Sequence, residues 1–66
     1  MGVFKTIEVI SSSKDSWEDA ARNAVKEAGK SVKNITSVWI KDQSAVVDDN
    51  KITDYRVNCK VTFKVG

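Results

Sequence analysis

Residues 53–65, TDYRVNCKVTFKV, alternate between apolar and polar side chains over their whole length. The apolar set occupies every second position: Tyr55, Val57, Cys59, Val61, Phe63 and Val65. The intervening residues are polar or charged. A period of two predicts a β-strand with one buried and one polar face, and this strand is the regular element around which we place the others.

A second strand is predicted directly before this one, over residues 35–47, ITSVWIKDQSAVV. The intervening residues 48–50 are Asp, Asp and Asn, which bond to their own backbone and tolerate left-handed conformations. Two strands joined by so short a turn pair antiparallel. The C-terminal half of the chain is therefore predicted to be a long hairpin.

The N-terminal half is predicted to hold one strand and one helix. Residues 3–10, VFKTIEVI, suit a strand in which β-branched side chains share one face, interrupted at Lys5. Apolar residues then recur at spacings of three and four: Trp17, Ala20, Ala21, Ala24, Val25, Ala28 and Val32. This spacing predicts an amphipathic helix, with Ser12 or Ser13 as its N-cap and with Gly29 and Asn34 as signals for its end.

The order of elements predicts an α+β fold in a single domain over residues 1–66. A right-handed crossover through the helix makes the first strand parallel to the second. The third strand then lies between them in a three-stranded antiparallel-type sheet of order 1-3-2. One face of this β-α-β-β sheet packs on the amphipathic helix, and nothing else in the chain covers the other face.

Size and composition favour self-association. A domain of 66 residues buries a small core, and its single cysteine and lack of histidine provide neither an internal disulfide nor a thiolate zinc site. We therefore expect a homo-oligomer. The net charge of +2 does not favour a nucleic-acid partner, and neither an apolar run of 18 residues nor a signal peptide is visible. We expect a cytoplasmic protein without membrane contact.

The uncovered sheet face is the main candidate for a site. The prediction places seven side chains on it: Ser37, Trp39, Lys41, Gln43, Arg56, Asn58 and Lys60. Trp39 is a large apolar side chain on this polar face, which indicates a subunit interface or a platform for a flat ligand. A stray exposed aromatic on a solvated face is the remaining alternative.

The acidic residues Asp48, Asp49 and Asp54 around the predicted turn are weak candidates for a site that binds Ca²⁺ or Mg²⁺. A solvated turn is the favoured explanation for them, because the segment lacks the glycine and the terminal glutamate of an EF-hand loop. No combination of nucleophile, histidine and acid is available, so we expect no enzymatic activity.

The order and spacing of several short segments resemble the dodecin family. These segments are VFK at the start, SWEDAA at the opening of the helix, VKNI before the second strand and YRVNCKVTF in the last strand. The similarity covers essentially the whole chain, although no single motif is specific. The resemblance implies a hollow homo-dodecamer of 23 symmetry that stores or quenches flavin without turnover.

The sequence departs from the flavin-binding members of that family. In those members, tryptophans of neighbouring subunits stack on pairs of isoalloxazine rings and a glutamine bonds the ring edge. The matching positions hold Ser37, eighteen residues before Tyr55, and Arg56. Trp39 lies two residues after Ser37 and would replace the missing indole only in part.

The segment of Asp42 and Gln43 matches one near the flavin side chain. The resemblance therefore implies weak or altered binding of riboflavin, FMN or FAD, at Ser37, Trp39, Asp42, Gln43 and Arg56. It also points to the branch linked to calcium, which would bind Ca²⁺ or Mg²⁺. A structural module that docks another protein through its sheet face, without a small ligand, is the alternative.

Overall fold

The structure, a computed structural model, describes residues 2–65. It consists of β1 (Val3–Ser13), α1 (Trp17–Ala28), β2 (Ile35–Asp48) and β3 (Lys51–Val65). The three strands form one sheet of order β1-β3-β2, in which β3 is antiparallel to both neighbours. The predicted fold class, element order and strand order are confirmed.

The hairpin turns where the sequence predicts. Asp48 and Lys51 are the last strand pair, and Asp49 and Asn50 between them have φ values of 52° and 61°. Two consecutive residues with positive φ form the type I′ turn whose twist matches that of the strands. Asp and Asn accept this conformation at low cost, which explains their presence here.

The start of α1 corrects one prediction. The N-cap is Ser16, whose Oγ accepts a hydrogen bond of 3.0 Å from the backbone N–H of Asp19. Neither Ser12 nor Ser13 caps the helix, because β1 continues through both. The Ser13 hydroxyl instead donates to Asp19 Oδ2 at 2.7 Å and accepts from the Asp15 N–H at 2.9 Å, so it braces the loop before the cap.

The end of α1 is also earlier than the apolar spacing indicates. The helix ends at Ala28, and Gly29 caps it in a right-handed conformation with φ of −63°. Val32 lies outside the helix, although its N–H still bonds the carbonyl oxygen of Ala28 at 2.9 Å. Asn34 takes the left-handed conformation, with φ of 64°, and turns the chain into β2.

The core between α1 and the sheet is small. It contains Ala20, Ala24, Val57 and Cys59, with Val9, Trp17 and Ile40 packed at its margin. Alanines allow the helix to lie close to the sheet, but each buries little apolar area. Burial raises the pKa of the Cys59 thiol, which behaves as a small apolar residue, as the sequence predicts.

Many large apolar side chains lie outside this core. Among residues 2–65 the exposed ones are Val3, Phe4, Ile10, Val38, Trp39, Val47, Ile52 and Val65. The hairpin extends well past the end of β1, since Ser13 pairs with Tyr55 while β2 and β3 continue to Asp48 and Lys51. The molecule is correspondingly elongated, at 51 × 19 × 14 Å. No helix in this part of the chain is long and apolar enough to cross a membrane.

Candidate ligand-binding face

The face of the sheet opposite α1, called the open face below, is built by cross-strand pairs centred on β3. Directly opposed residues point to the same side of a sheet. The register opposes Ser37 to Thr62, Trp39 to Lys60, Asp42 to Asn58 and Ser44 to Arg56. Four of the five predicted ligand residues therefore share this face: Ser37, Trp39, Asp42 and Arg56.

Gln43 does not share it, which corrects the predicted face. The register shifts between Ile40 and Asp42, so that Lys41 is an extra residue in β2. This bulge reverses the alternation beyond it, and Gln43 comes to lie opposite Val57, which faces the helix. The sequence offered no glycine or proline to mark the bulge. A strict period of two consequently assigned Gln43 to the wrong side.

The side chain of the bulge residue, Lys41, still reaches the open face. Lys41 Nζ lies 3.9 Å from Glu8 Oε2, and Glu8 is opposite Lys60 on the far side of β3. The long Lys41 side chain thus reaches across the central strand. Both partners of this ion pair are half exposed, and such a pair contributes little to stability. Its effect is to place charges of both signs at the middle of the face.

The indole of Trp39 is on the open face and is 60% exposed. Lys60 Nζ lies 5.3 Å from the centroid of its ring. This distance is within the range of a cation–π interaction, which contributes about 0.5–1 kcal/mol at an exposed site. An ammonium group consequently lies over one side of the ring of Trp39, the one aromatic residue within the strand Ile35–Asp48.

Asn58 provides an unsatisfied polar atom at the centre of the face. Its Oδ1 is buried and has no hydrogen-bond partner among the described residues. The residue lies in β3 between Ile10 of β1 and Asp42 of β2. A buried oxygen without a donor costs about 1–3 kcal/mol, and a side-chain rotation that brings this atom to a bound group or a neighbouring chain would recover part of that cost.

The acidic residues of the hairpin end are not gathered into a metal site within one chain. Asp48 ends β2, Asp49 is in the turn, and Asp54 is opposite Val46 in β3. Within residues 2–65, no three or more His, Cys, Asp or Glu side chains form a group that could hold a metal ion. A cation bound by the carboxylates at the hairpin end would need further ligands from another copy or from water.

Comparison with known proteins identifies the family. The sequence profile of the Dodecin family matches residues 3–66. The chain belongs to the dodecin family. A calcium dodecin of Mycobacterium tuberculosis is 38% identical to it over 65 residues, which are 98% of this chain and 92% of that protein.

Two solved dodecins show how the fold compares. A crystal structure from Mycobacterium tuberculosis is described as a calcium-chelating calcium dodecin with a novel calcium-binding site. It is 40% identical, has a TM-score of 0.83, and the match covers 97% of this chain and 91% of that one. A mutant of the Thermus thermophilus dodecin has a TM-score of 0.93 at 21% identity, covering 100% and 98%. This second likeness supports the fold alone.

Sequence reasoning missed part of this dodecin's open face. Glu8 and Ile10 of β1 and Phe4 near its start lie on the face because they oppose the polar positions of β3. Their even-numbered positions in β1 were a usable signal, because Val3, Ile7 and Val9, the side chains assigned to the buried face, are odd-numbered. The predicted face was drawn from β2 and β3 only.

Proposed function

We propose that this dodecin assembles as a homo-dodecamer with a hollow interior and binds a small ligand without chemical turnover. The main observation that supports assembly is that the buried apolar side chains are small while several large apolar side chains are exposed. The buried apolar residues in the described chain are alanines, valines and Cys59, whereas Phe4, Trp39 and Ile52 are exposed. So small a core supports little stability in a chain of this length, and burial of the exposed set between copies supplies the rest.

A divalent cation, Ca²⁺ before Mg²⁺, is the ligand that the open face and the family comparison support best. The orphaned Asn58 Oδ1 is the single observation that carries this choice. An amide oxygen is a calcium ligand, and the carboxylate of Asp42 is on the directly opposed residue. The 38% identity to a calcium dodecin points the same way.

One chain cannot complete such a site. Calcium takes about six to eight oxygen ligands, and Asn58 with Asp42 provides too few. The positive charges of Lys41 and Lys60 on the same face also oppose a cation there. The proposed site therefore includes oxygens from a neighbouring copy in the dodecamer, and the hairpin residues Asp48, Asp49 and Asp54 are the alternative ligands.

Flavin fits the open face poorly. Ser37 presents a hydroxyl where flavin-binding relatives in the family place an indole, and Lys60 stands over the ring of Trp39. Arg56 donates hydrogen bonds but cannot accept them, so it does not match a ring edge that offers both. We therefore propose that the protein binds riboflavin, FMN and FAD weakly. Its storage role is proposed for the divalent cation and does not depend on flavins.

Turnover is not part of the proposal because the chain lacks the groups for it. The sequence has no histidine, and its one thiol is buried with a raised pKa that keeps it protonated. A buried neutral thiol is a poor nucleophile. Binding and storage, rather than acid–base or covalent catalysis, are the roles that these residues can fill.

Calorimetric titration of the calcium-free protein with CaCl₂ tests the proposal, with a mass measurement on the same sample. We expect saturable binding by a species near twelve times 7.3 kDa. Asp42→Asn should weaken calcium binding at least tenfold, whereas the matched control Asp15→Asn, outside the open face, should not. Weakening by Asp48→Asn instead would move the site to the hairpin end. Absence of binding by the wild type would refute calcium as the ligand.

A further inference from the structure

The end of the β2–β3 hairpin carries an exposed apolar pair among acidic residues. Val47 and Ile52 are opposed in the register and are 61% and 53% exposed. Opposed side chains lie side by side, so the two form one apolar projection. We call residues 47–54 the hairpin tip. Its charged residues are Asp48, Asp49, Lys51 and Asp54, which give a net negative charge.

A groove of complementary character lies between α1 and β2. It has a volume of about 360 Å³ and is lined by Ala21, Arg22, Val25, Lys26 and Val38. The helix lies mainly over β1 and β3, and this leaves Val38 37% exposed at the floor of the groove. The apolar floor matches the apolar pair of the hairpin tip, and the positive charges of Arg22 and Lys26 are opposite in sign to the net charge of the tip.

Among residues 2–65, the charges on the tip and the groove lack strong ion-pair partners. The ion pairs among the described residues are Arg22 with Asp19, Lys30 with Glu27 and Lys41 with Glu8. The first joins exposed side chains at 4.0 Å, which is the limit of an ion pair. Lys26 and the acidic residues of the tip take part in none of the three, so their charges are available for a contact between copies.

We propose that the hairpin tip of one copy inserts into the α1–β2 groove of the next copy. The tip cannot reach the groove of its own chain, because Val47 lies nine positions after Val38 along β2. At about 3.3 Å per residue, this distance is roughly 30 Å. The inference rests on the proposed assembly and specifies which two surfaces build it.

A second copy is the occupant that the observations favour. The apolar pair matches the floor, and the acidic flanks match the Arg22 and Lys26 rim. Because tip and groove are different surfaces, the contact is heterologous, and such contacts close into rings when the rotation allows. A ring of three copies fits the three-fold axes of a dodecamer with 23 symmetry.

A cysteine pair tests the contact directly. Val25→Cys with Ile52→Cys in one chain places one thiol in the groove and one on the tip, while the native Cys59 is buried and does not compete. Mild oxidation should give covalent trimers on a non-reducing gel. The control pair Lys30→Cys with Ile52→Cys should give at least tenfold less of them.

Two results together would overturn the docking and leave the assembly intact: the wild type is dodecameric by light scattering, and the Val25→Cys/Ile52→Cys variant gives no more covalent multimers than the control pair. A wild type that is monomeric would overturn the proposed assembly, and the docking with it. The two failures are therefore distinguishable by the wild-type mass alone.

Charge reversal provides an independent measurement that does not depend on disulfide geometry. Arg22→Glu with Lys26→Glu should reduce the dodecamer fraction at low protein concentration at least fivefold, and Lys30→Glu with Lys33→Glu, an equal change of charge outside the groove, should not. Adding Asp48→Lys and Asp54→Lys to the groove variant should restore the fraction. If the combined variant is no better assembled than the groove variant, tip and groove are not partners.

Discussion

The indole N–H of Trp17 donates a hydrogen bond of 2.8 Å to the carbonyl oxygen of Ser44, 27 residues later in the chain. The same ring meets Tyr55 edge to face, with centroids 4.9 Å apart and planes at 77°. Trp17 opens α1, whereas Ser44 and Tyr55 lie in the hairpin beyond the Lys41 bulge. One side chain therefore fixes the direction in which the long hairpin leaves the body of the protein.

Replacing Trp17 by Phe should destabilise the chain by about 1 kcal/mol, the usual contribution of one hydrogen bond. A phenyl ring can retain an edge-to-face contact with Tyr55, so the loss comprises the bond to Ser44 and the packing of the missing part of the indole against the core. Urea unfolding at fixed protein concentration measures it. Equal midpoints for Trp17→Phe and the wild type would contradict this role.

The N-cap assignment makes a separate prediction. Ser16→Ala removes the acceptor for the Asp19 N–H and should cost about 1 kcal/mol of unfolding free energy. Ser12→Ala, four residues earlier in β1, should be close to neutral because its hydroxyl makes no hydrogen bond to any of residues 2–65, and only its backbone oxygen accepts one, from Asn23. Thermal unfolding of the two variants distinguishes them. A larger effect at Ser12 would restore the cap position that the sequence alone favoured.

Flavin binding should increase when the open face gains a stacking partner or loses the cation that lies over Trp39. Ser37→Trp adds a stacking partner, which contributes about 0.5–1.5 kcal/mol beyond burial for an aromatic pair. Lys60→Met frees the ring of Trp39 from the ammonium group above it. Fluorescence titration with riboflavin and FMN should show tighter binding by either variant than by the wild type. Tight quenching by the wild type, unchanged in Ser37→Trp, would show that Trp39 already builds a flavin site.

Stability should decrease at alkaline pH through Cys59. Burial raises the pKa of this thiol above its value in the unfolded chain, where it is about 8.5. Above that pH the unfolded state binds fewer protons than the native state, so the free energy of unfolding falls as pH rises. Urea unfolding between about pH 8 and 10 should show a steeper fall for the wild type than for Cys59→Ala. Parallel slopes would exclude this contribution.

The fold was predictable because its signals are local and regular. The alternation through Val57, Cys59 and Val61 identifies the central strand, and the alanine stripe of α1 requires a close helix contact. The Asp49–Asn50 turn follows from residues that accept positive φ. Each signal spans a few residues, and together they leave one strand order consistent with short connections and a right-handed crossover.

The site was predictable only in part because it depends on register and on contacts between distant strands. The bulge at Lys41, which turns Gln43 away, has no sequence signature. The ammonium of Lys60 over Trp39 and the orphaned oxygen of Asn58 arise from cross-strand neighbours. Ser16 was overlooked as the N-cap because three earlier serines offered the same chemistry.

Native mass spectrometry of the protein, sprayed with and without calcium, tests the central claim most directly because it counts subunits and bound ions in one spectrum. We predict a single assembly of twelve 7.3 kDa chains that gains a fixed number of calcium ions. Asp42→Asn should retain the twelve chains and lose the ions. A spectrum of monomers or dimers, or dodecamers that take up no calcium beyond the level of the Asp42→Asn variant, would contradict it.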